Sequence, residues 1–210
     1  MTPARSPLSP AGRPQLGLRE RKKIKTREAI RAATYALIKE QGYDATTIEQ
    51  IADRAEVSPS TVFRYFPAKE DIVLTDEYDP LMLEELRARP AEESWTDSVR
   101  YVMHKALDAM TAEDAEVVRV RARLAVQVPA VRSRMAESMA ETGRLLRVAL
   151  AERSGLAPDG LDVRVYVTAL VGGLMEANLT WAENGCEDDL GAMVDRALDV
   201  LEHGLPLGKP

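Results

Sequence analysis

Apolar residues recur along this chain at the spacing of a helix face, and no stretch alternates as a strand would. Between Arg19 and Gln41 the positions Ile30, Ala33 and Leu37 form one stripe, widened by Ala29 and Ile38, and Gly42 supplies the stop. Ile48, Ile51, Ala52 and Ala55 mark a second, short helix that ends near Glu56. Its start has two registers, a capping box from Thr46 to Glu49 or one from Thr47 to Gln50. A third helix begins at once. Ser58 is its candidate N-cap and Pro59 suits the first helical position. Val62 and Phe66, four apart, share a buried face, which leaves Pro59, Ser60, Phe63, Arg64 and Tyr65 for the other faces.

The pattern predicts further helices over 71–87, 94–110, 115–128, 130–153, 161–183 and 190–205. Pro90, Pro129, the Gly155 to Pro158 stretch and Asn184-Gly185 punctuate them. About nine helices result, with no hairpin signal and no internal repeat, so the fold class is all-α. Residues 1–17 differ in kind. Pro3, Pro7, Pro10 and Pro14 stand among few apolar side chains, with Arg5 and Arg13, and predict a disordered basic, proline-rich tail. Residues 206–210 read as a frayed end.

With 45% hydrophobic residues in 210, a sizeable core can form. No apolar run reaches membrane-span length, and the N-terminus lacks a signal-peptide core. The single cysteine, Cys186, excludes an intrachain disulfide and suits the cytoplasm. Net charge is −6, but its distribution changes the picture. Residues 1–75 carry 13 Lys and Arg against 9 Asp and Glu (+4), and residues 76–210 carry 15 against 25 (−10). A basic first third on an acidic body suits a DNA-facing head on a body that DNA repels. The front of the first long helix, Arg19 to Lys25, is densely basic and well placed to meet phosphates.

Enzyme chemistry finds little support. His104, His203 and Cys186 are too few for a zinc cluster, and no phosphate loop, dinucleotide fingerprint or nucleophile elbow occurs. Glu84-Glu85 and Asp188-Asp189 read as solvated faces. No cofactor or metal is implied.

The second and third helices have the form of a helix-turn-helix, whose second helix enters the DNA major groove nose first. The residues go further. AEVSPSTVFRYFPAKEDIV, preceded by TREAIRAATYALIKEQGYDATTIEQIA, resembles the DNA-binding signature of TetR-family transcriptional regulators from Thr26 to Val73, about a quarter of the chain. The resemblance implies a three-helix DNA-binding domain over 18–66 and a six-helix effector-binding and dimerisation domain over 67–205. It implies phosphate contacts at Thr47, Thr61, Arg64, Tyr65 and Lys69, and base-facing positions at Pro59, Ser60 and Phe63. Three residues depart from the family pattern. Phe63 stands in place of a usual tyrosine, and can touch a thymine methyl but cannot hydrogen-bond phosphate. Glu56 replaces a frequent glycine, at roughly 1 kcal/mol if the site is left-handed. Ala68 replaces a usual Ser or Asn cap, losing about 1 kcal/mol.

For the body the resemblance implies a homodimer built as a four-helix bundle. Val165, Ala169, Gly172, Gly173 and Glu176 would form one side, with Met193, Ala197, Val200 and Leu201 as the partner stripe. A small-molecule effector would lie among Trp95, Tyr101, Met103, Met110, Met135, Met139, Tyr166, Met175 and Trp181, with His104, Arg121 and Asn178 as polar anchors. The stretch from Arg119 to Arg132 is similar to that of a subgroup associated with acyl-CoA-like ligands. Such a regulator holds a double-stranded operator as a dimer and is released by its ligand. The same parts serve an activator or a regulator without effector.

Overall fold

The structure is a computed structural model that describes residues 17–74 and 79–205. Its elements are α1 (Leu18–Gln41), α2 (Ile48–Arg54), α3 (Pro59–Tyr65), α4 (Lys69–Leu74), α5 (Asp79–Arg87), α6 (Trp95–Asp108), α7 (Ala112–Gln127), α8 (Pro129–Ser154), α9 (Leu161–Glu183) and α10 (Leu190–His203). The all-α expectation holds, with ten helices among the described residues rather than about nine. Two of these, α4 and α5, fall within the helix predicted over 71–87, and residues 75–78 between them lie outside the described residues. So do the tail up to residue 16 and the end from 206. The helices fall into two compact units, α1–α4 and α5–α10.

The first unit closes on Ile30, Leu37, Ile51, Ala52, Val62, Phe66 and Ile72. Phe66 is 1% exposed, and truncating such a ring to alanine costs about 3–5 kcal/mol. Local chemistry decides the helix ends. Thr47 caps α2: its Oγ1 accepts from Gln50 N at 3.3 Å, and Gln50 Oε1 accepts from Thr47 N at 3.0 Å. The other register is lost because Thr46 is buried and donates its hydroxyl to Gly42 O at 2.8 Å. The α2 exit carries Glu56 at φ +54°, closed by Val57 N donating to Ala52 O at 2.9 Å. Ser58 then caps α3, accepting from Thr61 N at 3.2 Å, with Pro59 first in the helix.

In the second unit α9 packs on α10, α7 and α8. Leu86, Val99, Val102, Leu170, Val194 and Leu198 form one core, Leu150, Val163 and Val167 a second, and Ala122, Trp181, Ala182 and Cys186 a third. Two boundaries differ from expectation. Thr111 and Asp114 form a capping box, so α7 starts at Ala112 rather than 115. Pro129 opens α8 at its first position, where the missing N–H has no ladder partner to lose, instead of separating two helices.

Polar ties between distant segments complete this unit. Arg100 donates to Asp195 Oδ1 at 2.7 Å and to Asp199 Oδ1 at 2.8 Å, which joins α6 to α10. Arg153 lies 4.9 Å over the Trp95 ring and donates to Ser98 Oγ at 2.8 Å and to Glu93 O. Glu93 in turn takes a hydrogen bond from Arg89 Nε at 2.8 Å and one from Ser98 Oγ at 2.7 Å. Arg89 first, then Ser98, pulls the Glu93 carboxyl from 4.5 down to about 2.

Candidate nucleic-acid interface

The surface of α3 follows from its register. Val62 and Phe66 point into the core at 0% and 1% exposure. Pro59, Ser60, Phe63 and Arg64 are therefore turned to solvent, with Thr61 and Tyr65 half-buried at the flanks. The Phe63 ring is 52% exposed, although a phenyl group gains most by burial. At the front of α3 three hydroxyls converge: Ser58 Oγ lies 2.9 Å from both Ser60 Oγ and Thr61 Oγ1. Arg64 stacks against Tyr65, 5.3 Å from the ring centre. The result is a small projection with hydroxyls at its tip, one bare aromatic ring and a guanidinium behind.

Thr47, exposed at the α2 front, has its hydroxyl engaged as a cap acceptor and its O–H still able to donate. The amino half of α1 adds exposed Arg19, Arg21, Lys22, Lys23 and Lys25. Among these, Lys23 pairs with Glu20 at 3.7 Å, a surface contact that water screens. Lys69 is placed differently from the other expected contacts. It is half-buried and donates to Tyr43 O at 2.9 Å and Thr46 O at 3.0 Å. The sequence gives no sign of this use, because the acceptors are backbone carbonyls 26 and 23 residues away. The Tyr43 hydroxyl donates to Glu70 Oε1 at 2.8 Å, and burial, then Glu70, raises this phenol well above its ordinary range.

The residues expected at a dimer face divide. Val165 is 58% exposed, Ala169 and Glu176 are exposed, and a Cβ added at Gly172 would meet nothing within 4 Å. Val200 is 37% exposed. Gly173 instead faces Leu201 of its own chain, whose Cδ1 would lie 3.1 Å from an added Cβ. Met193 packs on the Trp181 cluster, and Ala197 is half-buried.

Some of the expected effector residues fall in two core clusters. Trp95, Met103 and Tyr166 pack against the core that α6, α9 and α10 share. Trp181 sits in the separate Ala122 and Cys186 cluster, its Nε1 donating to Asp188 O at 2.8 Å. Met135 is buried, while Met110, Met139, Met175, Arg121 and Asn178 are half-buried. Tyr101 is 44% exposed beneath Arg89, 3.8 Å from the ring centre. His104 Nε2 is 2.9 Å from Asp195 Oδ1. Among the described residues no group of His, Cys, Asp and Glu has the arrangement of a metal site, and no helix is long and apolar enough to cross a membrane.

Comparison with known proteins agrees with this architecture. Residues 30–75 match the family model described as bacterial regulatory proteins, tetR family, and residues 93–206 match the MftR C-terminal domain. The HTH-type transcriptional regulator TcmR of Streptomyces glaucescens is 35% identical over 153 residues, 68% of this chain and 66% of that protein. The fatty acid metabolism regulator protein of Bacillus subtilis is 25% identical over 194 residues, 89% of this chain and 98% of that one. Among solved structures, the FadR regulator of B. subtilis in complex with stearoyl-CoA superposes with TM-score 0.59 at 25% identity, covering 85% of this chain and 99% of that one. The Thermus thermophilus FadR repressor in complex with lauroyl-CoA gives 0.57 at 24%, covering 88% and 97%. These relatives are named as regulators rather than enzymes, as the sequence leads one to expect. The chain belongs to the TetR family of bacterial regulatory proteins.

Proposed function

We propose that this protein is a cytoplasmic repressor that binds a pseudopalindromic operator as a homodimer and lets go when a small, largely apolar effector, acyl-CoA-like in chemistry, enters its second unit. The observation that carries the DNA reading is the outward face of α3. Its core register leaves Pro59, Ser60 and Phe63 bare at 0% exposure of the neighbouring Val62. Ser60 and Phe63 meet base edges, the latter through a thymine methyl. Thr47, Thr61, Arg64 and Tyr65 serve the backbone, which positions the head without specifying sequence. One helix of this length reads too few bases, so a second copy supplies the other half-site, about one helical turn or ~34 Å away.

The exposed Val165, Ala169 and Glu176 on α9, with half-buried Gly172 between them and Val200 on α10, support the twofold contact. Gly172 leaves open room for a close helix approach from outside. The likeness to a regulator solved with stearoyl-CoA supports the effector class. Release needs only a coupling of about 1–3 kcal/mol between the two sites, which changes operator affinity 5- to 150-fold.

Fluorescence anisotropy on a selected operator tests both halves. Ser60→Ala changes preference at particular bases, whereas Arg64→Ala weakens all sequences alike. Long-chain acyl-CoA thioesters lower operator affinity. Free coenzyme A with the same effect, or no thioester with any effect, refutes the effector assignment.

A further inference from the structure

The first turn of α4 grips the link between α1 and α2. Lys69 has three N–H donors. One goes to Tyr43 O at 2.9 Å, a second to Thr46 O at 3.0 Å, and the nitrogen stands 3.9 Å from the centre of the Tyr43 ring. The next residue works on the same link, because Glu70 Oε1 accepts the Tyr43 hydroxyl at 2.8 Å. Tyr43 and Thr46 are 8% and 1% exposed, so water does not easily replace these bonds. Thr46 O lies just outside the α2 ladder, whose first bond runs from Ile51 N to Thr47 O at 3.0 Å. Tyr43 O also takes Thr46 N at 3.1 Å, so it is Thr46 O that loss of the ammonium would leave bare, at a desolvation cost. The other end of α4 is fixed to α1, with Ile72 and Val73 fully buried and the Tyr35 hydroxyl donating to Val73 O at 2.8 Å.

We propose that Lys69 is a positioning residue for DNA binding: its ammonium ties α4 to the α1–α2 turn and so sets where Thr47 and the first turn of α2 stand. The inference rests on the DNA-binding reading and gives it a route. α4 is the last element of the first unit before the chain passes to α5, and any shift of its front end moves Tyr43 O and Thr46 O directly. A shift of Thr46 carries Thr47, the cap whose hydroxyl and carbonyl receive Gln50 N and Ile51 N. Lys69 then governs phosphate contact through another residue.

Two measurements on the full chain separate this role from a plain charge–phosphate contact. The first is hydrogen exchange of the Gln50 and Ile51 amides in the free protein. The second is operator affinity from about 50 to 200 mM salt, where each phosphate neutralised adds about 0.9 to the log–log slope. Lys69→Met and Lys69→Arg are both expected to speed exchange at Gln50 and Ile51 about tenfold over core amides of α1 such as Leu37, the factor that 1.4 kcal/mol gives. Both weaken operator binding about tenfold at every salt concentration, with the slope unchanged. Lys69→Met with parent-like exchange and a slope smaller by about 0.9 overturns the proposal, as does Lys69→Arg that matches the parent in both readouts. Should Lys69→Met fail to fold, Lys69→Arg decides on the same criteria. If the parent itself binds no selected DNA, the operator reading fails, and exchange in the free variants still shows whether the tie exists.

Discussion

Replacing Glu56 by glycine should stabilise the first unit although it removes no contact that holds the fold. The residue follows α2 at φ +54°, where a Cβ costs about 1–2 kcal/mol. Glycine returns part of that, about 0.5–1 kcal/mol, through the greater freedom of its unfolded chain. The net expectation is a gain of about 0.5–1 kcal/mol. For a chain of this size that is roughly 1–4 °C in Tm. The turn's own bonds, Glu56 N to Asp53 O at 3.1 Å and Val57 N to Ala52 O at 2.9 Å, survive the change, and the side chain is exposed. Glu56→Ala is the control, since it removes the same carboxylate and keeps the Cβ. Thermal unfolding by circular dichroism gives the overall shift, and hydrogen exchange at α2 and α3 amides reports the first unit alone. Glycine should stabilise and alanine should not. Equal gains would mean that the charge, not the backbone, sets the cost, and the reasoning would fail. Both variants should strengthen operator binding by similar amounts, because both remove a negative charge beside α3.

Ala68→Ser should add about 0.5–1 kcal/mol in urea unfolding, because Asp71 Oδ2 already accepts Ala68 N at 3.0 Å and a hydroxyl would supply the missing half of a capping box. An unchanged midpoint would show that a hydroxyl at this position closes no cap. Glu93 has its carboxyl held at about 2, so its stabilising effect is complete above the ordinary value of 4.5 and is lost as pH falls through about 2. Glu93→Gln should therefore be less stable than the parent at pH 7, with the gap closing between about pH 4 and pH 2; a gap constant with pH contradicts this. Gly172→Leu should yield a folded monomer in sedimentation, since the site is open within the chain. Gly173→Leu should lower Tm by overpacking on Leu201, at about 1–3 kcal/mol. A dimeric Gly172→Leu protein would remove α9 from the interface.

Much of this molecule was legible in its sequence, for reasons that differ by element. The stripe of Ile30, Ala33 and Leu37 and the Val62 and Phe66 pair define their buried faces because a helix repeats every 3.6 residues, and all five are buried. The exposed face of α3 follows from that same register. Capping is legible when one residue competes: Ser58 was clear, whereas Thr46 and Thr47 offered two boxes that only the burial of Thr46 resolves. The start of α7 was missed because Thr111 and Asp114, a box with aspartate at its third position, precede the apolar run by several residues. What the sequence hides is any bond between distant segments. Arg100 to Asp195 spans 95 residues, Arg153 to Ser98 spans 55, and Lys69 reaches carbonyls that have no residue signature at all. The split of Gly172 from Gly173, one open and one filled by Leu201, likewise depends on packing that adjacent glycines do not reveal.

We propose that two copies of α3 read a twofold-symmetric DNA site. Selection from a random duplex library by the purified protein, at stated salt, tests it most directly. An enriched inverted repeat with half-site centres about one helical turn apart is the expected result. Recovery of unenriched sequence, or of a single asymmetric site bound by one copy, would contradict it.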